Sequence, residues 1–295
     1  MSDAARPAMF YAQTEKGGVR CALCPHNCNI PENKAGICGV RKNMGEALWA
    51  AGYGRFSALA LDPIEKKPLY RFHPGKRILS VGGFGCNLRC PFCQNCDISI
   101  GYENALRGAE YGSPEQIAAL ARETVSDGNI GVAYTYNEPL IGIEFVYDCA
   151  RLVREAGLYN ILVTNGYVKR EPLETLLPWI DAMNIDLKGF TDNFYKKLRG
   201  SLEPVRETIE ASHKRCHMEI TTLIIPGEND SAEEIESLAR WIASLNPEIP
   251  LHLTRFFPRY QYSDKPATPQ ETVYRLSEIA RKHLTNVFLG NIMPL

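Results

Sequence analysis

Short apolar runs alternate with amphipathic stretches along most of the chain after residue 77. Runs rich in aliphatic and β-branched residues have the length of strands, and the spacers between them carry helical periodicity. The predicted strands are RILSVGGF (77–84), NIGVAYTY (129–136), NILVTN (160–165), AMNIDLK (182–188), MEITTLII (218–225), LHLTRFF (251–257) and NVFLGNI (286–292). Strands that alternate with helices predict βα units and a parallel sheet.

Capping residues predict where several helices begin. SPEQ (113–116) offers a serine N-cap, a proline at the first helical position and a glutamine three residues after the cap. Thr268, which precedes a proline, predicts a second start of the same kind. Asp230, ahead of an apolar stripe, predicts a third.

Six or seven βα units favour a barrel over a flat sheet. We therefore predict an α/β fold, a partial (β/α)6-type TIM-like barrel over residues 77–295, with a small N-terminal Cys-rich extension of short strands over residues 1–76. His252 and Arg255 are assigned to one face of the sixth strand. Both are expected to point into the barrel, as site residues or as satisfied interior polar groups.

Composition narrows the classes of function. The chain has 295 residues, 33 basic and 34 acidic, and a net charge of −1, so no global field attracts nucleic acid or a membrane surface. The start lacks a signal-peptide pattern and no apolar run is long enough to span a bilayer, which predicts a cytoplasmic protein. Ten cysteines at short spacings in a reducing compartment indicate metal or redox chemistry rather than disulfides.

Cys86, Cys90 and Cys93 are spaced C-x3-C-x2-C directly after the first predicted barrel strand. In a parallel barrel this is the face where catalytic groups are displayed. Three thiolates on one loop can hold three irons of a [4Fe-4S] cluster and leave the fourth iron open for a substrate. The alternative is a closed zinc site, for which Cys96 would supply the fourth ligand.

The spacing and position of this motif resemble those of the radical S-adenosylmethionine (SAM) enzymes. The resemblance implies that SAM chelates the open iron through its amino and carboxylate groups. One electron from the cluster then cleaves SAM to methionine and a 5′-deoxyadenosyl radical, which abstracts hydrogen from a substrate. It further implies anaerobic chemistry and a reductant such as flavodoxin or ferredoxin.

Polar residues at later strand ends are the candidate SAM site. Asn137 and Glu138 end the second strand, where the family often receives the SAM amino group; the alternative is a helix entry. TNG (164–166) and DLK (186–188) resemble tripeptides of glycyl-radical-enzyme activases such as the pyruvate formate-lyase activating enzyme. That resemblance implies that Asn165 helps to hold SAM and that Asp186 and Lys188 line the SAM or substrate pocket. Otherwise Asn165 belongs to a turn, and the other two form an exposed ion pair.

A second set of cysteines lies near the start of the chain. Cys21, Cys24, Cys28 and Cys38 can close a tetrahedral zinc site or a fully ligated [4Fe-4S] cluster. A zinc site would be structural, whereas a cluster would relay electrons. Eight segments together resemble the AmmeMemoRadiSam-system radical SAM group: RCALCPHNCNI, GICGVR (36–41), ALALDPIEKKPLYRFHPG, GCNLRCPFCQNCDIS, TYNEP, NIDLKGF, HLTRFFP and FLGN. Residue 96 departs from this resemblance, because it is Cys where that group is expected to have an aromatic residue.

Three functions remain open at this point. The first is a radical SAM enzyme that abstracts hydrogen from a protein, with a glycine Cα as the target. The second is a radical SAM enzyme that acts on a small molecule. The third is an iron-sulfur protein that transfers electrons or mediates binding without SAM turnover, which the open iron position argues against.

Overall fold

The structure is a computed structural model that describes residues 6–14, 18–100, 106 and 108–292. Its strands are β1 (Arg6–Pro7), β2 (Tyr11–Gln13), β3 (Val19–Cys21), β4 (Asn29–Ile30), β5 (Arg41–Met44), β6 (Ala47–Ala50), β7 (Ala58–Pro63), β8 (Arg77–Gly82), β9 (Asn129–Thr135), β10 (Tyr159–Thr164), β11 (Ala182–Asp186), β12 (His217–Ile224), β13 (Leu251–Arg255) and β14 (Val287–Gly290). The α-helices within the described residues are α1 (Cys96–Ser99), α2 (Pro114–Glu123), α3 (Ile143–Glu155), α4 (Arg170–Leu176), α5 (Asp192–Lys197), α6 (Glu203–Ser212), α7 (Ala232–Leu245) and α8 (Gln270–Ala280).

One eight-stranded sheet organises the molecule, in the order β14-β13-β12-β11-β10-β9-β8-β7. The strands from β8 to β14 are mutually parallel, and β7 runs antiparallel to β8. Helices cover the outer face of the parallel strands, so these strands are buried on both faces; residues 182–185 of β11, for example, are all buried. All seven strands of the sequence prediction are present, and the predicted α/β partial barrel is confirmed.

All three predicted helices are present, but the predicted capping residue is correct in one case and wrong in two. Ser113 accepts the backbone N–H of Gln116, whose side chain returns to the Ser113 N–H, a complete capping box. Thr268 does not cap α8; its hydroxyl donates to the carbonyl of Ile224 on β12, a distant partner that the local pattern could not reveal. Ser231, rather than Asp230, is the N-cap of α7.

The N-terminal part forms two small antiparallel sheets, β1-β6-β5 and β2-β3-β4. A buried ion pair from Arg41 to Glu144 joins the first of them to helix α3, at 2.8 Å. Strand β7 also precedes residue 77, yet it continues the barrel sheet. The division into residues 1–76 and 77–295 stays a prediction.

The segment after β7 crosses the amino-terminal end of the barrel strands. Pro63 pairs with Arg77, the first residue of β8, so the chain leaves β7 at that end. The backbone N–H groups of Tyr70 and Arg71 donate to the carboxylate of Glu219 on β12, at 3.0 and 2.7 Å. These bonds hold residues 64–71 across the barrel as a floor.

Within the described part of the chain, every helix falls short of the length and apolarity that crossing a bilayer requires.

Candidate active site

Cys86, Cys90 and Cys93 lie on the loop after β8, at the carboxyl end of the parallel strands. All three line one cavity of about 560 Å³ inside the barrel. Burial raises the pKa of Cys86 well above its ordinary value and that of Cys90 to about 12. Since metal ligands must be thiolates, cluster binding would displace these protons. Three thiols on one loop, facing one roomy cavity, fit a cluster with an open iron.

Cys96 does not join these three thiols. It is the first residue of α1, and its thiol donates to the carboxylate of Asp97 at 3.7 Å. It is absent from the cavity lining, which includes the three motif cysteines. The tetrahedral zinc alternative, which needs Cys96 as a fourth ligand, has no support from this placement.

Asn137 shapes the backbone that leads into the cluster loop. Its side-chain oxygen accepts the N–H of Gly83 at 2.9 Å, and its side-chain nitrogen donates to the carbonyl of Gly85 at 3.1 Å. Gly85 has a φ of +82°, a conformation that favours glycine. Asn137 therefore positions the residue before Cys86, and its contact with SAM stays a prediction.

Glu138 is only 2% exposed and its carboxylate is held by protein donors. It accepts the N–H of Leu140 at 2.9 Å, the hydroxyl of Thr164 at 2.7 Å and the N–H of Asn165 at 2.8 Å. The bond to Leu140 is the helix-entry geometry that the sequence left open. Burial raises the pKa of Glu138 to about 7, although these bonds oppose the shift. Glu138 also lines the cavity, so its position is compatible both with the helix entry and with a contact to SAM.

Asp186 and Lys188 form an ion pair of 2.8 Å on the cavity wall. Both side chains are half-buried, so this is not the freely exposed surface pair of the alternative interpretation. Burial alone would lower the pKa of Lys188, but the charges of Asp186 and Cys90 outweigh it and raise the pKa. The ammonium thus sits where it can stabilise a Cys90 thiolate.

The sequence missed a polar cluster beside the floor. Lys67 is 2% exposed, and its ammonium contacts the carboxylate of Asp62 at 2.8 Å. The hydroxyl of Tyr136 donates to the same carboxylate at 2.6 Å. Lys67 and Tyr136 line the cavity with the cluster cysteines. Two adjacent lysines usually indicate a solvated surface, so only the tertiary structure could reveal that one of them is buried.

His252 and Arg255 were placed on one face of β13, and this was wrong. His252 lines the cavity and contacts the Glu219 carboxylate at 2.6 Å. Arg255 instead donates to the carbonyl of Thr268 at 2.5 Å. The positions differ by three, and side chains of a strand alternate with a period of two, so the two residues face opposite sides.

The four N-terminal cysteines lie outside this cavity but close to one another. Cys21 donates its backbone N–H to the carbonyl of Cys28 at 3.0 Å, across the β3-β4 hairpin. Burial, together with smaller effects of nearby Cys38, Cys21 and Cys28, raises the pKa of Cys24 to about 12. Among the described residues, no three or more His, Cys, Asp and Glu side chains gather tightly enough around one point to hold a single metal ion.

Comparisons with known proteins agree with this site. The Radical SAM superfamily model matches residues 80–242, more than half of the chain. An uncharacterized protein of Methanocaldococcus jannaschii is 41% identical over 97% of this chain and 85% of its own length. The pyruvate formate-lyase-activating enzyme of Clostridium pasteurianum is 28% identical over 55% of this chain and 67% of its own.

Among solved structures, a radical SAM methyltransferase from Sphaerobacter thermophilus aligns with a TM-score of 0.57 at 16% identity, over 97% of this chain and 76% of that one, and shows the shared fold. The chain is accordingly an enzyme with a [4Fe-4S] cluster and SAM as cofactors, and it belongs to the radical SAM superfamily.

Proposed function

We propose that this radical SAM enzyme abstracts a hydrogen atom from a protein or peptide, with a glycine Cα of a partner protein as the target. When bound, the cluster and SAM supply one-electron cleavage chemistry and the group that removes hydrogen. The chain's own residues bind SAM, hold the cluster loop and admit the substrate.

The observation that carries the proposal is the reach of the cavity. It extends from the three cluster cysteines to Lys66, which follows β7, and to Gly290 at the end of β14. These two strands are the ends of the sheet order and do not pair with each other. The sheet is therefore open between its two edges, and Gly290 of the edge strand β14 lines the cavity, so a loop of another protein could enter from this side.

The size of the cavity favours a slender substrate. Its volume of about 560 Å³ is within the range of roughly 300–1,000 Å³ that is typical of pockets for single drug-sized ligands. SAM is itself a ligand of that size and would take most of the space beside the cysteines. A backbone segment with no side chain at the reacting carbon, which is glycine, fits what remains.

SAM is proposed to lie between the cluster cysteines and the ends of β9 to β11. The Lys188 ammonium suits the SAM carboxylate, and Asp186 and Glu138 suit its ammonium and ribose hydroxyls. Asn165, which contacts Cys86, and Asn137, which holds the loop, complete the proposed SAM site. The similarity to a protein named as a pyruvate formate-lyase-activating enzyme also supports a protein substrate.

The test uses the anaerobically reconstituted enzyme with SAM, a reductant and material from host cells grown in deuterated medium. The host extract is separated into macromolecular and low-mass fractions. We expect deuterium in 5′-deoxyadenosine with the macromolecular fraction, and a stable organic radical in that fraction by electron paramagnetic resonance (EPR). Cys90→Ala should form no deoxyadenosine, whereas Cys216→Ala, a cysteine outside both sets, should behave as wild type.

A small-molecule substrate is the second candidate, because the polar floor favours it. Lys67 and His252 present polar groups to the cavity, and a small polar molecule could be anchored by them. Deuterium that arrives only from the low-mass fraction would support this function and refute the protein substrate.

A further inference from the structure

We propose that Cys21, Cys24, Cys28 and Cys38 hold a second, fully ligated [4Fe-4S] cluster, through which an external donor delivers the electron that the catalytic cluster needs. The proposal concerns electron delivery and holds for either substrate class. Its failure would therefore leave the proposed function untouched.

The fold assembles the four cysteines from two neighbouring loops. The β3-β4 hairpin places Cys21 opposite Cys28, with Cys24 in the turn between them. Cys38 lies on the loop that packs on this hairpin, where a Cβ added to Gly36 would meet the Cys28 sulfur at 3.5 Å. Cys21, Cys24 and Cys38 are buried and Cys28 is half-buried. Four thiols with one of them near solvent form a closed ligand set that a donor could approach.

Backbone donors around the sulfurs favour metal-bound thiolates over inert thiols. Backbone hydrogen bonds from Val40 and Arg41 lower the pKa of Cys38, and one from His26 lowers that of Cys24, against the rise that burial causes in both. Hydrogen bonds of this kind stabilise negative sulfur and tune the potential of iron-sulfur clusters. A cysteine that merely fills a core needs no such donors.

The neighbouring site favours a cluster over zinc. Zinc is redox-silent, whereas a [4Fe-4S] cluster takes each cysteine at a separate iron and can pass an electron. Arg89 joins the residue before Cys38 to Cys86, on the loop whose three cysteines serve the catalytic [4Fe-4S] cluster. A redox-active group at the second site therefore has a use beside this loop that zinc does not have.

Direct contacts join the two cysteine sets. The ring of His26 contacts the carbonyl of Asn87 at 2.7 Å. Arg89 donates to the carbonyl of Ile37 and, at 2.6 Å, to that of Cys86. The residues beside Cys24 and Cys38 therefore touch the residues beside Cys86, which provides a short hydrogen-bonded route between the sites.

Close packing at Gly85 reinforces this junction. A Cβ at Gly85 would lie 2.5 Å from the carbonyl oxygen of Cys38, so only glycine permits the approach. The N-terminal cysteines are absent from the lining of the cavity that Cys86, Cys90 and Cys93 share. The cluster loop thus separates the two sites, and an electron can arrive from one side while SAM occupies the other.

The electron count is balanced by an external low-potential donor of the ferredoxin or flavodoxin class. The donor loses one electron, which passes by way of the second site to the catalytic site and reduces SAM. The sulfonium–carbon bond breaks into methionine and a 5′-deoxyadenosyl radical, and both sites return to their starting oxidation states.

Metal analysis of the anaerobically reconstituted wild-type protein tests the site itself. We expect about eight irons per chain, no stoichiometric zinc, and EPR signals of two interacting centres after reduction. About four irons with one zinc would overturn the proposal. This measurement needs no variant, so a misfolded mutant would not leave the site untested.

The relay is tested with Cys28→Ser, the least buried ligand and a near-isosteric change, and with Cys216→Ala as the matched control. Deoxyadenosine formation is measured with reduced flavodoxin and with a photochemical small-molecule reductant. The rate with flavodoxin divided by the rate with the photochemical reductant should fall about 10-fold in Cys28→Ser and stay at the wild-type value in the control. An unchanged ratio in Cys28→Ser, with the second EPR signal altered or lost, would refute the relay.

Discussion

Asn165 donates its side-chain amide to the sulfur of Cys86 over 3.6 Å and to the side-chain oxygen of Asn87 over 3.0 Å. Its own side-chain oxygen accepts the N–H of Tyr167 at 2.8 Å, and its backbone N–H donates to Glu138. The end of β10 is thereby tied to the cluster loop. A donor to a ligating sulfur both orients the ligand and tunes the metal group.

Asn165→Ala should lower the rate of deoxyadenosine formation by about 10- to 100-fold, the range observed when partners of metal ligands are removed. Iron content should stay at the wild-type level, because the cysteines remain. Iron analysis and product quantification under strictly anaerobic conditions check both expectations. Asn246→Ala, at an exposed asparagine, is the control. A rate equal to that of wild type would show that the contact with Cys86 is unimportant.

Cys96→Ala should retain the catalytic cluster. The thiol donates to Asp97 and does not reach the cavity that Cys86, Cys90 and Cys93 line. We expect wild-type iron content and a deoxyadenosine rate within a few-fold of wild type, whereas Cys90→Ala should lose activity. Loss of iron from Cys96→Ala would mean that this cysteine is a ligand after all.

Periodicity and motif spacing predicted the parts of the structure that depend on local sequence. The seven strands and the position of Cys86 at a strand end are of this kind, because alternation and chain order determine them. The floor could not be predicted, since it depends on Glu219 receiving donors from residues almost 150 positions away. Thr268 is similar, because its hydroxyl bonds to a distant strand instead of capping the helix next to it.

Glu219 is the group whose charge should make stability depend on pH. Burial alone would raise its pKa, but bonds from His217, His252 and the N–H groups of Tyr70 and Arg71 outweigh burial and lower it to about 2, from an ordinary value of 4.5. A carboxyl whose pKa is lower in the folded state stabilises the fold above pH 4.5. That stabilisation is lost as the pH falls toward 2.

Glu219→Gln should therefore lower the free energy of unfolding of the metal-free protein by about 3 kcal/mol at pH 7. The difference from wild type should narrow as the pH falls below 4.5. Urea denaturation at several pH values measures it. The matched control is Glu174→Gln, which removes an exposed pair with Arg170 and should cost less than about 0.5 kcal/mol. A difference that does not change with pH would contradict the assigned role of the charge.

The ion pair between Arg41 and Glu144 attaches the N-terminal sheet to helix α3. Both side chains are 1% exposed, and Glu144 also accepts the N–H of Met9 at 2.7 Å. Removing one charge from a buried pair leaves the other without compensation, which typically costs 3–5 kcal/mol. Replacement of both by apolar residues of similar size is often nearly neutral, because no buried charge is left.

Arg41→Met and Glu144→Leu should therefore each destabilise the protein by about 3–5 kcal/mol, and the double variant should be closer to wild type than either single variant. Urea denaturation of the four proteins gives the coupling energy of the pair. The exposed Arg170–Glu174 pair, treated in the same way, should show coupling below about 0.5 kcal/mol. Additive losses at Arg41 and Glu144 would indicate that each side chain contributes by packing, and that the charge pair does not hold the N-terminal sheet in place.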